Sequence, residues 1–183
     1  MTVLQTFRIS PLIRITLTLF YIALLLPLPF LAQMTGGASP QLMVVGVMVG
    51  FMLLQGALSQ RVVTDDQQIQ VGYPWWVPSL LVTSWTLPWQ NVVALKARST
   101  GQGGLVYYFM DESQQGYLLP MRVAGFNRLV EIVQSQTNVD TQDVRPLAQP
   151  WMYFILLGVT ALLLLVDVWA IWTATTQGLA VTG

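Results

Sequence analysis

The sequence contains no cysteine and no histidine, and only 9% of its 183 residues are charged. Without these two residue types the chain has no thiol nucleophile, no disulfide, no imidazole base and none of the usual zinc ligands. A catalytic site would have to be built from eight carboxylates, eight cations and hydroxyl groups. The net charge of zero gives no support to nucleic-acid binding, which favours a basic face. We therefore expect a protein that is not an enzyme, needs no metal or cofactor and binds no nucleic acid.

Apolar residues make up 54% of the chain, and the charged fraction falls well below the roughly 25% of an average soluble domain. Solvated side chains are too few to cover a globule of this size, so much of the surface must face lipid. A helix needs about 20 residues to cross the hydrocarbon core, and it satisfies its backbone groups internally. Three apolar runs predict transmembrane helices over residues 12–32, 41–60 and 151–173.

The first apolar run is interpreted as a retained span and not as a cleaved signal peptide. It is longer than the apolar core of about 7–15 residues in such peptides, and it lacks a clear small-x-small cleavage site. Pro27 and Pro29 lie near its outer end, where each removes a backbone donor. We expect the helix to bend or end there.

The positive charges predict the orientation of the three spans. Arg8 and Arg14 precede or open the first span, and the other six basic residues lie between the second and third spans. The loop 33–41 and the tail 174–183 carry no charge. Because positive residues stay on the cytoplasmic side, we expect the N-terminus and the central segment inside and the C-terminus outside. The six central cations are Arg61, Lys96, Arg98, Arg122, Arg128 and Arg145.

The segment between the second and third spans has the pattern of short strands followed by one helix. Polar turns at Asp65–Asp66 and Asp111–Gln115 separate β-prone stretches, which predicts two hairpins. The Gly-rich stretch 100–104 is expected to be a flexible connection. The predicted strands are Arg61–Thr64, Gln68–Gly72, Asn91–Arg98, Leu105–Met110 and Tyr117–Leu119.

After Gly125 the apolar period changes to that of a helix, which is predicted to end near Thr137. Its apolar face consists of Phe126, Leu129, Val130, Ile132 and Val133. The predicted organisation is an N-terminal region of two spans over 1–60, a domain over 61–137, a linker over 138–150, a third span over 151–173 and an outer tail over 174–183.

The order of elements in the central segment resembles a pleckstrin-homology-like (PH-like) domain. The resemblance rests on short strands, a Trp-x-x-Pro-Trp segment and a closing amphipathic helix, and in bacteria such domains are often joined to a pair of transmembrane helices. Together with the three apolar runs, it implies a membrane α+β protein with three spans and a small cytoplasmic β-domain closed by one helix. The residues that carry it are Val62–Val71, Trp85–Trp89 leading into Asn91–Ala97, Leu105–Leu119 and Phe126–Val133.

Within this group the chain is similar to the photosystem I assembly proteins of cyanobacteria and plastids. The shared features are an acidic turn after the second span, the stretch Ile69–Trp75, a strand at Asn91–Arg98, a hairpin at Tyr107–Arg122 and a terminal helix. The third span departs from that family. The resemblance implies a thylakoid location and photosystem subunits as partners.

A Trp-rich stretch, Tyr73–Val82, places two adjacent tryptophans between two prolines. Proline lacks a ladder donor, so this stretch is not a regular central strand. It could cover the core, dip into the lipid headgroup layer, where tryptophan is favoured, or form a hot spot for a protein partner. We assign partner binding to Trp75, Trp76, Leu80, Leu81, Trp85 and Trp89.

Three residues of the spans are candidates for contacts inside the membrane. Gly46 and Gly50 form a small-xxx-small pair, which lets a second helix of this chain or of another protein approach closely. Asp167 is an acid inside an apolar run, about 24 Å along the third span from Trp151. It could be exposed at the outer interface, contact a partner subunit or take part in a proton relay.

The remaining charged residues predict no site. Lys96, Arg98, Arg122 and Arg128 could bind a lipid headgroup, but they are spread over three elements, whereas lipid capture uses clusters of basic residues. The acidic pairs at 65–66 and 111–112 lie in turns, where such residues are usually solvated.

The sequence thus predicts a non-enzymatic, multi-pass accessory protein in the lipid bilayer. We expect it to bind membrane protein subunits and to assemble or stabilise a multi-subunit complex. The alternative is a membrane-surface lipid-binding PH-like module.

Overall fold

A computed structural model of the protein describes residues 4–30, 39–99, 105–137, 139–141, 144 and 150–181. A short 3-10 helix, Trp89–Asn91, lies between the fourth and fifth strands. In chain order the other elements are β1 (Gln5–Arg8), α1 (Pro11–Leu25), α2 (Pro40–Ala57), β2 (Arg61–Thr64), β3 (Gln68–Gly72), β4 (Trp85–Pro88), β5 (Ala94–Ser99), β6 (Leu105–Met110), β7 (Gly116–Leu118), α3 (Phe126–Gln136) and α4 (Pro150–Val181).

The chain divides into two compact units. The domain unit consists of Met1–Pro11 and Gly56–Gln149, and the helical unit consists of Leu12–Gln55 and Pro150–Gly183. The predicted boundary between the membrane region and the domain was residue 61. The domain unit instead includes the residues that precede α1.

Three helices of the helical unit are long and apolar enough to cross a membrane: Pro11–Phe30, Pro40–Ala57 and Pro150–Thr173. The prediction of three apolar helices of spanning length is therefore confirmed. The regular part of the first ends at Leu25, and residues 27–30 are helical again after a turn at Leu26. This interruption lies next to Pro27, as the two prolines predict.

The third apolar helix is longer than predicted. The tail was expected to begin at residue 174, but α4 continues to Val181. Thr173, Thr175 and Thr176 each donate a hydroxyl hydrogen bond to the carbonyl oxygen four residues earlier, at 2.9–3.0 Å. These bonds satisfy the hydroxyl groups within the helix, so the helix continues through this polar segment.

The domain unit contains two antiparallel sheets, one of four strands in the order β1-β2-β3-β4 and one of three in the order β5-β6-β7. The strand β1 was not predicted. It pairs with β2 over its whole length, so that Phe7 lies opposite Val62 and Arg8 opposite Arg61. Both Phe7 and Val62 are buried. The segment before the first apolar helix is therefore an edge strand of the four-stranded sheet.

Both predicted hairpins are confirmed, as β2–β3 and β6–β7. The carboxylate of Asp65 closes the first turn by accepting hydrogen bonds from the backbone amides of Gln67 and Gln68, both at 2.8 Å. Asp111 closes the second by accepting the amide of Gln115 at 2.8 Å. These are turn-forming roles, as predicted for the acidic pairs.

Two predictions around the middle of the domain differ from the structure. The predicted strand Asn91–Arg98 begins only at Ala94, and its first predicted residue belongs to the 3-10 helix. The segment Trp85–Pro88, which was not predicted as a strand, pairs with β3 and has its proline at the last position. The predicted flexible connection 100–104 lies outside the described residues.

The helix α3 covers the core of the domain. It follows Gly125, whose left-handed φ of 76° is accessible to glycine without steric cost. Phe126, Leu129 and Val133 are buried, as the predicted apolar face requires, and their core partners include Ile69 and Phe109. Each large apolar side chain buried in this way contributes about 1.5–3 kcal/mol. Much of the predicted linker 138–150, including Arg145, lies outside the described residues.

Candidate functional site

The Trp-rich loop, defined here as Tyr73–Leu81, folds into two successive turns. The amide of Val77 donates to the carbonyl oxygen of Pro74, and the amide of Leu81 donates to that of Pro78, both at 3.0 Å. The prolines fix the backbone of these turns and direct two large apolar side chains outward. Trp75 is 95% exposed and Leu80 is 94% exposed.

The base of the Trp-rich loop packs against the last turn of α2 and the residues that follow it. A Cβ atom added to Gly56 would lie 3.6 Å from atoms of both Trp76 and Val77, so this glycine permits the contact. The amide nitrogen of Gln60 donates to the hydroxyl of Tyr73 at 3.0 Å. Burial raises the pKa of Tyr73, and the Gln60 hydrogen bond opposes that shift. The loop is therefore fixed beside the point where α2 ends.

The six residues assigned to partner binding differ in their exposure to solvent. Trp75, Trp76, Leu80 and Leu81 are exposed on this loop, and they are here called the Trp-rich surface. Trp89 is only 5% exposed, so it lies in the core and is not part of this surface. Its indole nitrogen donates to the carbonyl oxygen of Asp65 at 2.8 Å, and this bond satisfies the donor inside the core.

Trp85 also belongs to the interior of the domain more than to its surface. The side chain is partly buried and packs against the core. Its ring lies 5.4 Å from that of Tyr117 and 6.3 Å from that of Phe109, measured between ring centroids. Such aromatic pairs stabilise a fold. The candidate partner surface is thus limited to the four residues of the Trp-rich surface.

The four cations considered for lipid binding have separate surroundings. Lys96 and Arg98 lie on β5, where the Arg98 guanidinium is 5.6 Å from the centroid of the Tyr108 ring. Arg128 forms an exposed ion pair with Glu131 at 2.9 Å on α3. Arg122 lies in the segment before α3.

A pair of cations that the sequence analysis did not group is formed by strand pairing. Arg8 and Arg61 lie directly opposite each other on β1 and β2, and both are exposed. The sequence signal was the stretch Gln-Thr-Phe-Arg before the first span, whose single large apolar residue is Phe7. So weak a pattern identifies a strand only once its partner is known.

The acidic pairs at 65–66 and 111–112 lie in two different turns of the domain. A cleft of about 250 Å³ lies near Asp65 and Asp66, and it is lined also by Thr64 and Arg128. Among the described residues no group of three potential metal-ligating side chains occurs. In the other turn, the hydrogen bond from Ser113 is the largest cause that lowers the pKa of Asp111.

In the helical unit the two glycines of the small-xxx-small pair differ. A Cβ added to Gly50 would overlap the hydroxyl of Tyr21 on α1, whereas one added to Gly46 would meet nothing within 4 Å. The Tyr21 hydroxyl donates to the carbonyl oxygen of Val47 at 2.7 Å. Gly50 therefore provides the close approach of α1 and α2, whereas no described residue approaches Gly46 in this way.

Asp167 lies in α4 with intermediate exposure. One of its carboxylate oxygens, Oδ2, is buried and has no hydrogen-bond partner among the described residues.

Comparisons with known proteins identify one related sequence. The chain is 55% identical over 162 residues to the uncharacterized protein slr0269 of Synechocystis, which covers 87% of this chain and 81% of that protein. No protein-family model matches the chain, and no solved structure matches it. Identity at this level over this length shows common descent and a common fold. The chain therefore belongs to the same protein family as this cyanobacterial protein.

Proposed function

We propose that the protein is a multi-pass membrane accessory protein that binds integral membrane subunits and helps to assemble or stabilise their complex. Its three apolar helices cross the bilayer, with the N-terminus and the domain unit on the cytoplasmic side and the C-terminus outside. The domain presents the Trp-rich surface to a partner. The protein performs no catalysis in this account.

The apolar faces of the three helices support insertion into lipid. Leu165 and Trp169 on α4, and Val45 and Met52 on α2, are each at least half exposed. A helix that is apolar around its circumference is buried or faces lipid. Among the described residues little of these surfaces is covered by the chain itself. Lipid or partner helices would cover them.

The pairing of β1 with β2 supports the proposed topology. β1 precedes the first apolar helix and β2 follows the second, yet the two strands share a ladder of four residue pairs. Strands that pair must lie on the same side of a membrane. Two crossings between them satisfy this requirement, and so does the one-sided distribution of Lys and Arg.

The exposure of the Trp-rich surface is the observation that carries the proposed partner binding. A soluble domain gains nothing by leaving Trp75 and Leu80 almost fully in water, whereas anchoring aromatic residues are typical of interface hot spots. Trp76 and Val77 lie beside Gly56, which belongs to the last turn of the second apolar helix. We therefore take the proposed partner to be a membrane subunit.

The resemblance to photosystem I assembly proteins makes a photosynthetic complex of the thylakoid the proposed target. In the domain unit seven strands, in sheets of four and three, precede α3. The cyanobacterial relative is compatible with this target.

The proposal is tested by replacing an exposed side chain of the Trp-rich surface and measuring the recovery of partner subunits. Full-length tagged protein is expressed in Synechocystis cells that lack the relative, extracted in mild detergent and analysed by quantitative mass spectrometry. Trp75→Ala and Leu80→Ala should lower the recovery of co-purifying subunits at least tenfold, since a hot-spot residue contributes about 2 kcal/mol or more.

Leu105→Ala is the matched control, because it removes the same side chain from an exposed position on β6. It should leave subunit recovery unchanged. Equal recovery from the Leu80 and Leu105 variants, with equal amounts of protein in the membrane, would contradict partner binding by the Trp-rich surface.

A further inference from the structure

The end of the four-stranded sheet nearest in sequence to α1 and α2 carries a row of arginines. This helix-proximal end is defined by Arg8, Arg61 and Gly72, which lie opposite one another on β1, β2 and β3. The neighbouring pair, Phe7 and Val62, is buried in the core. Because successive side chains alternate between faces, Arg8 and Arg61 both point to the outer face, with Cβ atoms about 4.5–5.5 Å apart.

A third arginine extends this row on the other side of β1. The amide of Ser10 donates to the carbonyl oxygen of Arg122 at 3.0 Å, and that of Ala124 donates to the carbonyl oxygen of Arg8 at 2.8 Å. Between them Ile9 forms a bridge with Val123. Three segments distant in sequence therefore bring Arg8, Arg61 and Arg122 to one end of the domain.

These three charges have no acidic counterpart in the part of the chain that the structure describes. The ion pair found there joins Arg128 to Glu131 on another element. The acidic turn of Asp65 and Asp66 closes the opposite end of the β2–β3 hairpin. Like charges directly opposite each other on a sheet are destabilising. A bound anion would offset this repulsion, which makes the arrangement suitable for a ligand.

Open space lies beside the row. A Cβ atom at Gly72 would have no neighbour within 4 Å, so the position next to Arg61 on the outer face is free. Guanidinium groups bind phosphate through two parallel hydrogen bonds. The row therefore offers two or three such donors beside an unfilled position.

The chain connections indicate that the phosphate bound here would belong to a membrane lipid. Arg8 lies three residues before the first residue of α1, Pro11, and Arg61 lies four residues after the last residue of α2, Ala57. If these helices cross the bilayer, so few residues leave both arginines at headgroup depth. The adjacent Trp-rich loop begins directly after Gly72, and tryptophan favours the same layer.

We propose that Arg8, Arg61 and Arg122 form a binding site for the phosphate groups of anionic membrane lipids. The site holds the helix-proximal end of the domain against the cytoplasmic leaflet and so fixes the Trp-rich surface at the level of a membrane partner. This inference rests on the membrane crossing in the proposed function. It does not depend on the identity of the partner.

The test uses full-length protein in a neutral maltoside detergent with added phosphatidylglycerol and phosphatidylcholine in equal amounts. Native mass spectrometry measures how much of each lipid is bound. The unchanged protein should prefer phosphatidylglycerol, and Arg8→Gln/Arg61→Gln should weaken its binding roughly 30-fold, because each cation near the surface contributes about fivefold. Lys96→Gln/Arg98→Gln removes the same charge from β5 and should keep the preference.

Thermal unfolding provides a second readout that a merely structural role would not give. Without anionic lipid, the Arg8→Gln/Arg61→Gln variant should melt no lower than the unchanged protein, because the substitution removes a repulsion. Phosphatidylglycerol should raise the Tm of the unchanged protein and of the Lys96/Arg98 control only. Inorganic phosphate at the same concentration should not raise it. An equal rise with inorganic phosphate would overturn the assignment to lipid.

Arg122→Gln leaves the β1–β2 pair intact and keeps the test valid if the double variant fails to fold. It should weaken phosphatidylglycerol binding about fivefold. Unchanged lipid preference in this variant, or an equal loss in the Lys96/Arg98 control, would overturn the site. Leu80→Ala should reduce partner recovery without altering lipid binding, so failure of the proposed partner surface is distinguishable from failure of this site.

Discussion

At the scale of single residues, Gly50 and Gly46 show how one glycine can serve packing while its neighbour on the same helix does not. The hydroxyl of Tyr21 approaches α2 at Gly50 and donates to the carbonyl oxygen of Val47. The side-chain amide nitrogen of Gln55 adds a second polar contact, because it donates to the hydroxyl of Thr18 at 3.0 Å. Where lipid removes the hydrophobic drive between helices, close packing and such hydrogen bonds associate them.

We therefore predict that Gly50→Ala destabilises the pair of α1 and α2 and that Gly46→Ala does not. The added methyl group at position 50 would displace the Tyr21 hydroxyl, and overpacking of this kind costs about 1–3 kcal/mol. Thermal unfolding of the full-length protein in detergent measures the difference. An equal Tm for the two variants would show that the packing at Gly50 is not required.

The turn between β6 and β7 offers a second residue-scale test, through the pKa of Asp111. Hydrogen bonds from Ser113 and from the amide of Gln115 favour the charged carboxylate and lower this pKa. A group with a lowered pKa in the folded state stabilises the protein above its unfolded pKa. That contribution is lost as the pH falls through the folded pKa.

Ser113→Ala should raise the pKa of Asp111 towards its ordinary value, because it removes the largest of the causes that lower it. The stability that this carboxylate contributes at neutral pH, and its loss on acidification, should then both become smaller. Carboxyl-carbon NMR titration of aspartate-labelled protein in micelles measures the pKa. Ser135→Ala, which removes another exposed serine hydroxyl, should leave it unchanged. A pKa of Asp111 that does not respond to Ser113→Ala would contradict this assignment.

At the scale of elements, β1 is the part of the fold with the largest consequence for topology. It consists of four residues, and Phe7 is its one side chain in the core, within contact distance of Gly125. Its partner β2 begins more than fifty residues later, after two apolar helices. The strand therefore joins the N-terminus to the domain by pairing across the whole helical hairpin.

Phe7→Ala should destabilise the domain unit by about 3–5 kcal/mol, since it removes a buried aromatic side chain from the core. Thr6→Ala lies on the same strand but on the exposed face, and it should change the free energy of unfolding little. Denaturant unfolding in micelles, followed by tryptophan fluorescence, compares the two. Equal free energies of unfolding would mean that β1 does not contribute to the domain core.

The hairpins were predictable because each has an alternating pattern and a turn that an aspartate closes, at Asp65 and Asp111. β1 was not, because its four residues lack a visible pattern and its partner is distant. The exposure of individual tryptophan side chains could not be predicted from the sequence either. Trp75 and Trp89 are the same residue type, and both lie near prolines. Trp89 is nevertheless buried in the core, where its indole donates to the Asp65 carbonyl oxygen, whereas Trp75 is exposed to water.

At the scale of the whole molecule, the positive charges are one-sided both within the sheet of the domain and along the chain. Arg8 and Arg61 mark the helix-proximal end of the sheet, and Asp65 and Asp66 mark the other end. Along the chain, every Lys and Arg lies before or at the start of the first apolar helix or between the second and third. The proposal places this domain at the cytoplasmic face, where positive residues are retained.

The most direct test of this account is the side of the membrane that each segment faces. Because the chain has no native cysteine, single cysteines at Thr6, Ser39, Ser113 and Thr182 report unambiguously on their own positions. Thr182 lies outside the described residues. A membrane-impermeant maleimide applied to sealed vesicles of known orientation should label positions 6 and 113 from the cytoplasmic side only, and positions 39 and 182 from the opposite side only. Labelling of positions 113 and 182 from the same side would contradict the three-span account.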